Sequence, residues 1–368
     1  MIQALIGEAR DHGLTSQQAC TVIGLAPRTL QRWQVAQRLP QTEANSPTST
    51  PTRVIHTRRY HALTAYEAAI VVALIRSPRH ADASCRELAL ALEQGPSPLY
   101  ISHVTIWEYQ CTLQCNGPRG RQVSSGLSRT APDTEWVTGP NQLWDWDITY
   151  LHSPERHLFF YLYSLLDHWS RKNIAWLVDH QLSSMCVQTL WDQGVINENL
   201  LEQPADTWPK SLSDRGAQMR SRSTKAYFKK LSIEQLFSRP STPDDNPYIE
   251  SHFATIKTQP VFPGYFADQP AAENYFGQFY PWYNDVHPHT RLHMLTPSQM
   301  HTGQLTRRLA DRAALKVATL AAREANPNTL TFTLEELIAQ PLPDVSGYPI
   351  YTWVGPNSVP PKHATSLD

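Results

Sequence analysis

The run Trp144-Asp-Trp-Asp-Ile-Thr-Tyr150 constrains this chain most, because it sets acidic residues inside a segment whose aromatic and β-branched side chains ask for a buried strand. A carboxylate placed there loses hydration, and nothing in strand structure repays it. A divalent metal would. Asp145 and Asp147 are two residues apart and share one face of the strand, so periodicity alone does not choose between them.

The sequence around this run alternates strands and helices. Leu143 to His152, His157 to Asp167 and Lys172 to His180 read as three successive strands joined by short turns. Ser183 to Gln193 reads as a helix and Pro209 to Ser213 as a fourth strand. Ser223 to Leu231 is helical, and Gln235 to Ser238 is a short fifth strand. Asn246-Pro247 opens a long helix to about Lys257, with Asn at the cap and Pro in the first turn, and Ala271 to Val286 forms one more helix rich in aromatics. This order is that of an α/β ribonuclease H-like core, a mixed five-stranded sheet with flanking helices.

With 368 residues there is room for further domains. No apolar run is long enough to span a membrane, and Met1 to Arg10 lacks the pattern of a signal peptide, so a cytoplasmic protein is expected. The five cysteines have neither zinc nor disulfide spacing. The formal net charge is −1, yet residues 1 to 140 carry 13 arginines, no lysines and 10 acids, and arginine forks suit phosphates and guanine edges. An Arg-rich composition inherited from a GC-rich genome would give the same count.

Residues 14 to 34 hold two short helical patterns separated by Gly24-Leu25, with Ser16 as a cap and Pro27 at the second helix start. This is a helix-turn-helix pattern, and Arg28, Thr29, Gln31 and Arg32 would face DNA from its second helix. An ordinary packed helix pair fits the segment equally well. Residues 40 to 57 are a Pro, Ser and Thr linker. A second helical block follows, with Thr64, Ser84 and Ser102 as helix caps. On its last helix Val104 and Trp107 or Ile106 are expected to point inward, leaving His103, Thr105 and Glu108 available to a DNA groove. Gly117 to Pro140 is again linker-like, and Gln304 to Ala325 is a helix with Arg307, Arg308, Arg312, Lys316 and Arg323 on a solvated surface.

Three carboxylates fall where the expected sheet would bring them together. Asp147 lies in the first strand, Asp214 follows the fourth, and Glu250 sits one turn into the long helix. Each has a separate structural explanation: Asp214 opens an Asp-Arg-Gly turn, and an acid near a helix start favours the dipole. Together, at matching places in one fold, they suit oxygen ligation of two Mg²⁺ ions.

Several motifs give these positions a family likeness. Pro140-Asn-Gln-Leu-Trp144 with Asp147-Ile-Thr-Tyr150, Ser213-Asp-Arg-Gly-Ala-Gln218, and Asp245-Asn246 with Glu250-Ser251 and Lys257 resemble the transposases of the IS-three family of bacterial insertion sequences, whose core is related to retroviral integrases. The 35 residues between Asp214 and Glu250 match that family's spacing, as do Tyr283-Asn284, His289 and Leu295-Thr-Pro297 further on. The likeness covers roughly residues 100 to 300 and selects Asp147 over Asp145. Ser241-Thr-Pro243, His287, His293 and Glu108 depart from the usual pattern without removing an acid.

The resemblance implies a DDE transposase that cleaves DNA and transfers strands at the terminal inverted repeats of its element. Asp147, Asp214 and Glu250 would be catalytic and hold two Mg²⁺ ions, with Mn²⁺ able to substitute. Asn284 and His289 would position DNA or support the ligands. The partners implied are double-stranded DNA, both element ends and target, and a second copy of the chain; the protein would be nucleoid-associated when bound. The expected organisation is a helix-turn-helix domain at 1–39, a linker at 40–57, a second helix-turn-helix at 58–116, a linker at 117–140, the catalytic core at 141–300, and a C-terminal helix and tail at 301–368. A DNA-binding regulator without activity, or a nuclease without strand transfer, are the alternatives.

Overall fold

The computed structural model describes residues 63–115, 134–238, 246–325, 332–353 and 355–356. The expected reading residues Arg28, Thr29, Gln31 and Arg32, the linker at 40–57 and the loop at Ser241–Pro243 lie outside them.

The first described helices are α1 (Ala65–Arg76), α2 (Cys85–Gln94) and α3 (His103–Thr112). Thr64 and Ser84 begin α1 and α2 as capping boxes, each hydroxyl accepting from the backbone of Glu67 or Glu87 while that glutamate accepts from the cap's own N–H. Leu74, Leu88, Leu92, Ile101 and Ile106 are buried between the three helices. The connection from α2 to α3 runs from Gly95 to Ser102, longer than the tight turn of a helix-turn-helix.

The sheet has the order β3-β2-β1-β4-β5, with β1 (Leu143–His152) at its centre. β2 (Phe159–Asp167) and β3 (Asn173–Asp179) pair antiparallel, as consecutive strands joined by short turns do. β4 (Lys210–Ser213) and β5 (Gln235–Phe237) are parallel additions on the other side of β1, reached through helices α4 (Ser184–Asn197) and α5 (Arg222–Lys230). Trp144 and Trp146 bury one face of β1 against Trp191 of α4 and Phe228 of α5. The other face is covered by α6 (Pro247–Lys257) and α7 (Gln269–Asp285), whose Phe276, Phe279, Tyr280 and Tyr283 form an aromatic layer. This is the mixed five-stranded sheet that the strand order predicts.

β3 is an open edge, and side chains cap it. Asn284 accepts from the Asn173 N–H and donates to the Asn173 carbonyl at 2.8 and 2.9 Å; Asn197 and Gln269 donate to the carbonyls of Ile174 and Val178. Blocking an exposed strand in this way prevents edge pairing.

The C-terminal region follows the core with α8 (Pro297–His301), α9 (Leu305–Ala325) and α10 (Leu334–Ala339). The solvated surface expected of α9 is only partly realised. Arg323 is buried, paired with Glu67 of α1 at 3.0 Å and donating to the Tyr100 carbonyl, and Arg312 pairs with Glu93 of α2 while donating to the carbonyl of His293. The tail then runs back across the molecule. Phe332, Leu337, Val345 and Tyr348 join the apolar cluster of α1 to α3, while Tyr351 and Trp353 pack on the aromatic layer of α7. Trp353 stands edge-on to Phe279 and Tyr275, and Trp282 donates to the Tyr351 carbonyl. The segment thus straps the helical block to the core, a role that its proline-rich sequence does not suggest.

Candidate active site

β1 carries Asp145, Asp147 and Thr149 on the face turned toward α6, each meeting a different neighbour. Asp145 is fully buried and paired with His168 Nδ1 at 2.8 and 2.9 Å. The His168 ring stands edge-on to Tyr248 in the first turn of α6, and the Arg171 guanidinium lies over the same tyrosine. Asp145 therefore has a structural partner, and it anchors the start of the helix that carries Glu250. Thr149 accepts from Lys257 Nζ, at the other end of α6, at 2.7 Å.

Asp147 lies between these two anchors. It is half-buried, and its Oδ1 accepts from the backbone N–H of Ile148 at 2.8 Å. Burial pushes its carboxyl up to about 7; the Ile148 N–H pulls the other way, the charges of Asp214 and Glu250 raise it further, and Lys257 lowers it. The three predicted acids therefore share one electrostatic field. Asp214 and Glu250 are exposed, so the field opens to solvent on one side. No group of three or more His, Cys, Asp or Glu among the described residues is gathered closely enough to hold a metal ion, so the three acids feel one another's charge without forming a ready ligand set.

The Asp214 turn is tightly built. Its Oδ1 accepts from the Gly216 N–H at 2.8 Å, and a β-carbon at Gly216 would lie 2.9 Å from Met219 Sδ and 3.1 Å from that same oxygen. Glycine at 216 leaves the carboxylate its place. Arg215 donates to the Ser238 carbonyl, tying the turn to the end of β5.

Behind the acids is a second buried polar layer. Ser164, opposite Asp147 on β2, lies 3.2 Å from both His252 Nε2 and the Tyr280 hydroxyl, and it accepts from Asn173. Through Asn173 this layer reaches Asn284, whose side chain is engaged with the strand edge. His289 packs edge-on to Tyr283 and His287, with its Nε2 buried and without a partner. Burial lowers the pKa of His252 to about 3 and of His287 to about 4, and holds His289 well below the ordinary imidazole value. All three rings are neutral at physiological pH. Asn246 does not cap α6 with its side chain, contrary to expectation; its amide is buried and unpartnered beside the first turn.

The helix expected to read bases keeps part of the predicted face: Ile106 turns inward and Glu108 outward as expected, but Val104 and Trp107 do not turn inward. Ile106 and Tyr109 of α3 are buried, whereas Val104 and Trp107 are 50% and 52% exposed. The reason is the helical repeat: with Ile106 and Tyr109 seated on α1 and α2, residues 104, 107 and 108 must turn out. Thr105 is half-buried, and His103 lines a crevice with Thr290 and His293 of the core.

The integrase core domain family matches residues 137–243, and a second integrase core domain family matches 231–297. Between them the two matches span residues 137–297, which are similar to integrase core domains. All three acids lie within these matched residues. Over 162 residues the chain is 26% identical to the transposase for insertion sequence element IS904 of Lactococcus lactis, a match covering 44% of this chain and 61% of that relative. Over 136 residues it is 27% identical to transposase InsF for insertion sequence IS3A of Escherichia coli, covering 36% of this chain and 43% of the relative. The chain thus aligns with about half the length of these curated relatives. Among solved structures, the HTLV-2 integrase catalytic core domain in complex with magnesium is 16% identical with a TM-score of 0.33, covering 44% of this chain and 97% of that one. No helix among the described residues is long and apolar enough to cross a membrane.

Proposed function

We propose that the protein is a DDE transposase that cleaves DNA at the terminal inverted repeats of an insertion sequence and joins the cut ends to target DNA. The observation that carries this reading is the electrostatic coupling of Asp147 to Asp214 and Glu250 on three different elements of an integrase core.

The donor set suits a hard divalent cation. Carboxylate oxygens from several elements, open to solvent on one side, are the ligands that Mg²⁺ takes, and a carboxyl held at about 7 by burial and like charge gains most from a cation beside it. Asp147, Asp214 and Glu250 would hold two Mg²⁺ ions, with Mn²⁺ able to replace them. Bound there, the ions would supply activation of the attacking oxygen and charge neutralisation at the leaving 3′-oxygen. The chain's own groups do the positioning. The Ile148 N–H fixes one Asp147 oxygen, the Gly216 N–H fixes one Asp214 oxygen, and Lys257 neutralises part of the local negative charge from its seat on Thr149.

The segments at 1–39 and 58–116 would hold the element ends, with Arg28, Thr29, Gln31 and Arg32 as the main contacts. His103, Thr105, Asn284 and His289 are weaker contributors, since Asn284 is engaged with the strand edge and His289 is packed inside. Because two ends are joined, the active form would be at least a dimer on DNA.

A strand-cleavage assay with paired element ends and Mg²⁺ tests this. Asp147→Asn is expected to lower cleavage at least a thousandfold while the protein stays folded and binds the ends. Cleavage that survives the substitution would sink the assignment, and tight binding by the parent chain with no cleavage would favour the regulator.

A further inference from the structure

Residues 215–233 carry six Lys or Arg and no Asp or Glu, in a chain that has 32 Lys and Arg against 33 Asp and Glu overall. The segment begins immediately after Asp214 and contains α5. Arg220, Arg222, Lys225, Lys229 and Lys230 are all exposed, and none forms an ion pair with another described residue. Several cations elsewhere are matched, Lys172 with Glu198, Lys210 with Glu234, Arg312 with Glu93 and Arg323 with Glu67. Exposed Arg76, Arg86, Arg156 and Arg291 form no ion pair with a described residue but stand apart in the sequence; what sets α5 apart is the clustering of its cations.

Packing fixes which way this face points. Thr224 and Phe228 are buried, and the Tyr227 hydroxyl is held by Asp192 of α4 at 2.6 Å. Arg222, Lys225 and Lys229 stand at i, i+3 and i+7, and so form one outward stripe about 10 Å long.

Helix stability does not explain the stripe. Lys229 and Lys230 in the last turn favour the helix dipole, but Arg222 at the first position and Arg220 just before the Ser221 cap oppose it. A helix selected for solubility would interleave both signs. Cations placed against the dipole and left unpaired are accounted for by an anion that arrives from outside.

We infer that the exposed face of α5, together with Arg220, is a binding surface for the phosphate backbone of duplex DNA passing over the Asp214 side of the site. This rests on the proposed activity and deepens it. A duplex presents one phosphate per 3.4 Å of axis on each strand, so a stripe of this length meets about three phosphates. Lysine and arginine on phosphates fix position and carry no sequence information, so the surface suits target or flanking DNA, whose sequence is not read.

The test uses the full chain and random-sequence 30-base-pair duplexes in EDTA, with affinity measured against salt concentration. The triple variant Arg222→Ala/Lys225→Ala/Lys229→Ala is expected to reduce the slope of log affinity against log salt by about 0.9 per contact, roughly 2.7 in all, equally for duplexes of different sequence. The melting temperature should hold, because losing Arg222 from the helix start and Lys229 from its last turn act on the dipole in opposite directions. Arg156→Ala/Arg307→Ala, on exposed sites outside α5, is expected to leave the slope nearly unchanged. An unchanged slope in the α5 variant, or an equal loss per charge in both variants, would overturn the surface. Since no cleavage is measured, the two readings separate: a parent chain that binds duplex but never cuts would sink the transposase reading and leave the α5 surface standing.

Discussion

Burial holds the Asp147 carboxyl at about 7, and Asp214 and Glu250 add to the shift. An unfolded aspartate ionises near 3.9, so the folded protein binds the extra proton between that value and about 7. For the metal-free chain this removes stability as pH rises through that window, by roughly 4 kcal/mol at most. Asp147→Asn removes the penalty. We therefore expect the metal-free variant to melt higher than the parent at pH 8 and to match it below pH 4, in thermal scans with EDTA. The same substitution would abolish cleavage, so stability and activity would move in opposite directions. A variant that melts lower at pH 8 would show that the carboxylate is not under strain.

At the scale of elements, β1 joins two partners through one face: Asp145 holds the start of α6 through His168 and Tyr248, and Thr149 holds its end through Lys257. Asp145→Ala leaves His168 buried without its acid, a loss of about 3 kcal/mol for a broken buried pair. It should also reduce cleavage about tenfold by loosening the first turn of α6. Asp145→Asn, which keeps a hydrogen-bond acceptor, should recover most of both. The sequence made much of this region legible. The ends of β1 and β4 read directly from alternation and turns, and a buried acid on an aromatic strand pointed to the site. The choice between Asp145 and Asp147 needed the family likeness, because both share a face. Other features depend on which surface meets which. Helical repeat alone does not say whether Trp107 or Ile106 of α3 turns inward, and the pairing of Asn284 with Asn173 spans most of the core.

Across the whole molecule, the tail at 332–353 closes over both the helical block and the core, and α9 is clamped to them by buried or half-buried arginines. Its prolines and scattered aromatics have no periodicity, so their role emerges only from the packing. Trp353→Ala should cost about 3 to 5 kcal/mol by opening the aromatic layer, measured by chemical denaturation. The central claim concerns the acids. Its most direct test is Mn²⁺ binding followed by electron paramagnetic resonance, on the full chain bound to cut element ends. Two bound Mn²⁺ ions per site are expected in the parent, and neither should stay tightly bound in Asp147→Asn. Two ions retained with unchanged affinity in that variant would contradict the account.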